Sequence, residues 1–290
     1  MDRPVPEIFD RALQKQHYQR IAPHLSKTDF LLRHMAENIN ERLLDINRQF
    51  TNALIICPLP TITHSMPALQ KKVRQFATAA PSHMLQPDMV LDEEQLDLAP
   101  HNYDLIISIG SLHLLNDLPG ALIQFHRALR PDGLFLASFF GGETLCELRQ
   151  AFAEAEMACE GGVSPRVHPF SALQTLGDLL QRAGFALPVA DSDTVIVRYA
   201  SALALLQDLR HMGQSNSLCA RRKFLRRAVL EKCLAIYQEK CTDSDGKLTA
   251  RFDIHTLAGW SPHKSQQQPL RPGSAQHRLA EALGTKEEKL

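Results

Sequence analysis

The chain has 290 residues, 44% hydrophobic and 22% charged, enough to bury a full core in one elaborated domain or two small ones. Thirty-two basic residues balance thirty-two acidic ones, so no overall field draws it toward nucleic acid or an anionic membrane. No stretch approaches the roughly 20 apolar residues a spanning helix needs. Six cysteines, without a Cys-x-x-Cys pair or histidines at zinc-site spacing, read as reduced thiols and not as staples or metal ligands.

Residues 8–50 are expected to be helical. Phe9, Leu13, Ile21 and Leu25, then Phe30, Leu31, Met35, Ile39 and Leu43, give two apolar stripes separated by a polar break at Ser26 to Asp29. Ala53 to Cys57 reads as a first strand, Val73 to Ala77 as a second and Met89 to Leu91 as a short third. Leu105, Ile106 and Ile107 form the apolar run of a fourth strand buried on both faces, as parallel strands are when helices cover both sides of a sheet. Leu118, Leu122, Phe125 and Leu129 then recur at helical spacing, with Pro131 and Gly133 expected to stop that helix. Leu134 to Phe140 makes a fifth strand, so the whole reads as a right-handed crossover unit. Phe170 to Ala183 is a helix closed by Gly184, and Phe185 to Tyr199, with Thr194-Val195-Ile196-Val197, is a sixth strand or a hairpin. Ser201 to Glu239 is helical with an interruption at Gly213 to Ser217, Thr249 to Trp260 is a last strand, and a polar tail ends in a short helix near Arg278 to Leu283.

Certain motifs in this order carry a resemblance. Tyr103-Asp104 with its apolar strand, Leu112-His113, Asn116-Asp117-Leu118 and Leu129-Arg130-Pro131-Asp132-Gly133 resemble the second half of a class I methyltransferase domain dependent on S-adenosylmethionine (SAM). Phe140-Gly141-Gly142-Glu143-Thr144-Leu145, Glu147-Leu148-Arg149, Glu160-Gly161-Gly162, Ser164-Pro165, Pro169-Phe170 and Met212-Gly213-Gln214-Ser215-Asn216 resemble one branch of that superfamily. It is the branch of the respiratory complex I assembly factor that hydroxylates an arginine; the malonyl-carrier-protein methyltransferases of biotin synthesis are more distant. The resemblance runs from about Ile8 to about Leu283.

It implies an α/β fold, Rossmann-like and doubly wound, with a mostly parallel seven-stranded sheet, an N-terminal helical arm and a helical insertion over the cleft. The expected divisions are 1–50 for the arm, 51–200 for the core, 201–260 for the insertion and final strand, and 261–290 for the tail. It also implies SAM or a related nucleoside as ligand, and a protein substrate or complex I subunit as partner. The acidic, proline-bearing start MDRPVPEIFDRAL lacks the features of a signal or transit sequence. A bacterial cytoplasmic protein is therefore expected, with a mature mitochondrial matrix chain as the alternative.

Within that frame the first strand should lead into a glycine-rich turn whose bare backbone and N–H groups approach the ligand. The chain instead reads Cys57-Pro58-Leu59-Pro60. Proline has no N–H, its ring fills space, and its fixed φ excludes glycine conformations. After the second strand, where an acid would grip the ribose hydroxyls, stands Thr78-Ala79-Ala80-Pro81. Two parts of a nucleoside site are missing. The remaining candidates are Asp92 and Glu93 beside the adenine position, and Ser108, Gly110, Ser111 and His113 along the fourth strand's end. Asp92-Glu93-Glu94 reads equally as a solvated acidic turn, Asp104 as a turn cap, and His113 either as a proton-transfer group or as a packing residue. Gly141, Gly142, Glu143 and Thr144 would face substrate with Arg149, or would make a tight lead into the next helix. Arg221, Arg222, Lys223, Arg226 and Arg227 would dock an acidic partner or form a solvated helix face. No catalytic residue or metal site is assigned. Three functions stand: a SAM-using modifier of a protein, a non-catalytic assembly chaperone with a degenerate site, and a carboxylate O-methyltransferase.

Overall fold

A computed structural model describes residues 7–24, 29–222 and 224–267. Its sheet is built from β1 (Phe50–Ile56), β2 (Val73–Ala80), β3 (Met89–Val90), β4 (Tyr103–Ile109), β5 (Leu129–Gly141), β6 (Ala186–Tyr199) and β7 (Leu248–Trp260). The strand order is β3-β2-β1-β4-β5-β7-β6. The first five are parallel, whereas β7 runs antiparallel between β5 and β6. The chain is thus an α/β protein with the expected doubly wound sheet. The order reverses between β1 and β4, so a ligand crevice falls beyond the carboxyl ends of those two strands.

Strand alternation divides the core. Ile55, Leu105, Ile107, Leu134 and Leu136 point to one face and Leu54, Ile106, Phe135 and Ala137 to the other, all essentially sealed from solvent. Each such leucine, isoleucine or phenylalanine contributes about 1.5–3 kcal/mol of burial. The first face is covered by α2 (Phe30–Asp45), α3 (Pro67–Lys72), α5 (Cys146–Glu160), α7 (Ala202–His211) and α8 (Arg227–Cys241). The second is covered by α4 (Leu118–Ala128) and α6 (Leu173–Arg182). A further helix, α1 (Arg11–Ile21), lies over the crevice.

Four expectations are corrected. The fourth crossover helix ends at Ala128, before Pro131, because Leu129 already pairs with Tyr103; residues 130–133 form a bulge in β5 before Leu134 rejoins opposite Leu105. Its left-handed residue is Asp132, not Gly133. In α1 the buried stripe is Gln14, His17, Tyr18 and Ile21, not the one through Leu13, and Leu25 lies outside the described residues. The break between α7 and α8 spans residues 212–226, much longer than Gly213 to Ser217. The region from Phe185 is one strand, not a hairpin, and Gly184 does close the helix before it. The expected helix at Arg278 to Leu283 lies outside the described residues.

Candidate functional site

The arm's first residues fix α1 over the switch point. Ile8 and Phe9 N–H groups both donate to Asn116 Oδ1 at 2.8 Å, and Asn116 Nδ2 donates back to the Phe9 carbonyl at 3.1 Å. Asp10 caps α1 by accepting from Leu13 N–H. The helix then places Arg11 against the end of β3, where its guanidinium donates to Asp92 Oδ1 at 2.8 Å and to Gln14 Oε1 at 2.8 Å. Gln14 Nε2 donates to the Leu114 carbonyl and to Ser217 Oγ at 3.2 and 3.3 Å. Burial opposes the Asp92 charge, but Arg11 and the Glu94 N–H outweigh it and hold its carboxyl below the usual range.

What remains of the nucleoside position is a cavity of about 100 Å³, lined by Arg11, Gln14, Tyr18, Pro58, Pro81 and Glu93 among others. Pockets for small-molecule ligands run to about 300–1,000 Å³. The Cys57 thiol is buried, which pushes it up to about 12, and it accepts the Leu59 N–H at 3.4 Å. Leu59 is buried, and Pro60 opens a 3₁₀ turn through Ser65. That turn contains no glycine, Pro58 and Pro60 carry no N–H, and the Leu59 N–H is taken by Cys57. Ala79, Ala80 and Pro81 stand where the ribose acid would be, with Ala79 and Ala80 fully buried.

The other candidates are drawn into the protein. Glu93 is only 5% exposed and its Oε1 accepts from Ser108 and Ser111 hydroxyls at 3.0 and 2.7 Å. Burial pushes its carboxyl up, with the two serines and Arg11 opposing. Gly110 has φ +78°, and a Cβ there would sit 2.5 Å from Leu32 Cδ2 of α2, so only glycine lets α2 close on the end of β4. His113 lies between Phe140 and Phe170, with Nε2 3.0 Å from Gln214 Oε1 and Nδ1 buried without a partner. Burial pushes its imidazole down to about 4, and that of His168 to about 3. His168 Nε2 accepts from the Ser217 N–H at 3.1 Å.

The Gly141 to Thr144 turn is bound to β7. A Cβ on Gly141 would overlap the His255 ring, while Glu143 N–H donates to Asp253 Oδ2 at 2.8 Å. Thr144 Oγ1 donates to the Gly141 carbonyl at 2.7 Å, and the N–H groups of Gly142, Thr144 and Leu145 are taken by Ser171, Gly141 and Arg251 carbonyls. In this arrangement the turn offers no N–H to a ligand. Of the basic cluster, Arg221 and Arg222 precede α8, Arg226 caps it and Arg227 opens it, while Lys223 lies outside the described residues. Arg221 pairs with Asp10 at 3.2 Å, Arg222 with Glu160, Arg226 with Glu160 at 3.4 Å, and Arg227 with Glu231 at 2.7 Å.

Two larger spaces lie beyond β5. A cavity of about 530 Å³ sits between α1, α5, α7 and the ends of β5 and β7, with Thr144 in its wall. A groove of about 730 Å³ runs past Ile8, Val163, Pro165, Pro169 and Leu218, and includes Arg149. Among the described residues, no group of three His, Cys, Asp or Glu side chains is placed to hold a metal ion. Sequence reasoning missed Arg11, Gln14, Arg166, His168 and Ser217. Only Asn116 carried a signal, through the Asn-Asp-Leu motif.

Residues 30–188 match the family described as Methyltransferase domain. Arginine-hydroxylase NDUFAF5, mitochondrial, is 37% identical in Danio rerio over 92% of this chain and 87% of that protein, and 37% identical in Homo sapiens over 92% and 81%. Malonyl-[acyl-carrier protein] O-methyltransferase of Xylella fastidiosa (strain M23) is 30% identical over 89% and 87%. The YcgJ protein of Bacillus subtilis, at 11% identity, shares the fold with a TM-score of 0.54 over 79% of this chain and 99% of that one. The chain therefore belongs to the methyltransferase-domain family, in the branch of arginine-hydroxylase NDUFAF5, with the malonyl-[acyl-carrier protein] O-methyltransferases as further relatives.

Proposed function

We propose that the chain is an assembly factor for respiratory complex I that works by holding a protein partner and does not use SAM. The observation that carries this reading is the closed switch point: Arg11 occupies Asp92, Ser108 and Ser111 occupy Glu93, and about 100 Å³ is left where a nucleoside would need several times that volume. SAM does not fit the residues present, so no methyl-transfer step is derived, to protein or to small carboxylate. The assembly role rests on the branch, whose relatives are aligned over most of their length. Exposed apolar surface at Ile8 and Val163, beside Arg149, offers a protein-facing groove for a complex I subunit. The compartment proposed is the bacterial cytoplasm, with the mitochondrial matrix as alternative.

Titration calorimetry of the purified chain with SAM and with S-adenosylhomocysteine tests the cofactor half; no saturable heat is expected, and micromolar binding overturns it. Deleting the gene in its host tests the other half. Membrane NADH–quinone oxidoreductase activity is expected to fall and to be restored equally by wild type and by Asp92→Ala; unchanged activity after deletion refutes the assembly role. The arginine-hydroxylase relatives favour a second reading, modification of an arginine on the partner. Mass spectrometry of complex I subunits from the two strains separates the readings, since only the second adds an oxygen atom.

A further inference from the structure

The 530 Å³ cavity lies within the size range of ligand pockets, and its chemistry is one-sided. Its body is apolar, formed by Phe140, Leu148, Phe152, Leu209 and Phe252, while Arg166, Arg221 and Arg222 also line it. Among the described residues, no aspartate or glutamate does. The acids that balance these arginines are absent from the wall: Glu156 is 2.7 Å from Arg166, Asp10 is 3.2 Å from Arg221, and Glu160 pairs with Arg222. The pairs are thus oriented with the cation on the cavity side. Glu160 is shared with the exposed Arg226, which does not line the cavity, so Arg222 has only part of one counter-charge. His17 in the same wall stays neutral, since burial, then Arg20 and Arg221, hold it below its ordinary range.

A guanidinium guest would meet like charge here and find no carboxylate to grip. An apolar chain carrying a negative head would bury its tail against the phenylalanines and leucines and present its head to the arginines. We infer that this cavity binds a single-chain amphiphile with an anionic head, of the alkyl carboxylate or alkyl phosphate class. The site is separate from the nucleoside position, so the assignment does not depend on whether SAM binds.

Titration calorimetry of the full chain with decanoate, decyl phosphate, decanol and decylamine tests it. Saturable binding of one or both anions is expected, with decylamine weaker by roughly tenfold or more, the worth of one charged hydrogen bond. Which anion binds tighter names the head group. Arg222→Gln, at a guanidinium 45% exposed, is expected to weaken the anions about tenfold while leaving the affinity for decanol unchanged. Leu209→Trp is expected to remove binding by filling the apolar end. Affinity for decanol or decylamine equal to that for the anions would overturn the head-group assignment. Absence of saturable binding by every probe to a folded wild type would overturn the site itself.

Discussion

Glu156 offers the sharpest test of the physical reasoning. Its side chain is fully buried in α5 and accepts the Ser164 N–H at 2.5 Å, the Ser164 hydroxyl at 2.6 Å and Arg166 Nε at 2.8 Å. Burial alone would push its carboxyl up, but Ser164 and Arg166 outweigh it and hold it below the ordinary range. Arg166, whose side chain is 10% exposed, also donates to the Arg222 and Phe224 carbonyls at 3.4 Å each, so the pair ties α5 to the segment before α8. Glu156→Ala leaves a buried guanidinium without its counter-charge, a loss of about 3–5 kcal/mol. That is a large share of a stability of about 5–15 kcal/mol and a fall in Tm of roughly 6–20 °C. Glu156→Met with Arg166→Met removes both charges and is expected to recover most of the loss, because the uncompensated charge and not the missing contact dominates. Urea denaturation of the three proteins measures this. A single variant weakened by less than about 1 kcal/mol, or a double variant as weak as the single, would refute the argument.

Stability is expected to fall as pH drops below about 6.5. His113 and His168 are neutral when folded, with values near 4 and 3, whereas the unfolded chain protonates near 6.5, so between pH 6.5 and 5 the pair loses at least about 3 kcal/mol. His17, His126 and His255 are shifted the same way and add to the slope; His168→Gln should reduce it, and an unchanged slope by urea titration would count against burial as the cause. Gly110→Ala combines a left-handed φ with the Leu32 contact and is expected to cost about 2–4 kcal/mol by urea denaturation; a neutral effect would show that α2 can shift. Asp104 accepts the Thr51 and Asn52 N–H groups at 2.6 and 2.9 Å, so Asp104→Asn, with one acceptor left, should lower stability by about 1–3 kcal/mol; no change in Tm would mean the strands do not rely on that cap.

The sheet was legible because its signal is local. Leu105 to Ile107 must be buried on both faces whatever surrounds them, and Gly184 stops a helix through its own backbone. Asp104, read as a turn cap, was not legible in this way: it lies within β4 and accepts the Thr51 and Asn52 N–H groups of β1, a contact between segments far apart in the chain. The bulge after Leu129 was not, because it depends on the pairing of Tyr103 with Leu129 on a different strand. The loss of the glycine turn could be read from Pro58 and Pro60 directly, but the closure of the site could not. Arg11 reaches Asp92 across 81 positions, and nothing in Arg11-Ala12-Leu13-Gln14 distinguishes a helix that caps a crevice from one that faces water. The long break before α8 was hidden for a related reason: Arg221 and Arg222 look like helix-surface residues until Asp10 and Glu160 are seen to hold them.

The two readings meet in α1. Arg11, Gln14 and Tyr18 close the nucleoside position, while Leu13 and His17 wall the larger cavity. An empty nucleoside crevice would leave Asp92 and the end of β3 facing water with no ligand to order them. The Arg11 pair and the buried Tyr18 ring supply that order from within the chain. Once α1 is anchored by Arg11, Gln14 and the Asn116 clasp, its opposite side becomes a fixed wall, and a rigid wall is what a pocket with oriented arginines requires. Closing one site and forming the other are then consequences of the same helix placement. Arg11→Ala should therefore weaken decanoate binding, although Arg11 does not line that cavity. Retention of full affinity in that variant would show that the two sides of α1 are independent.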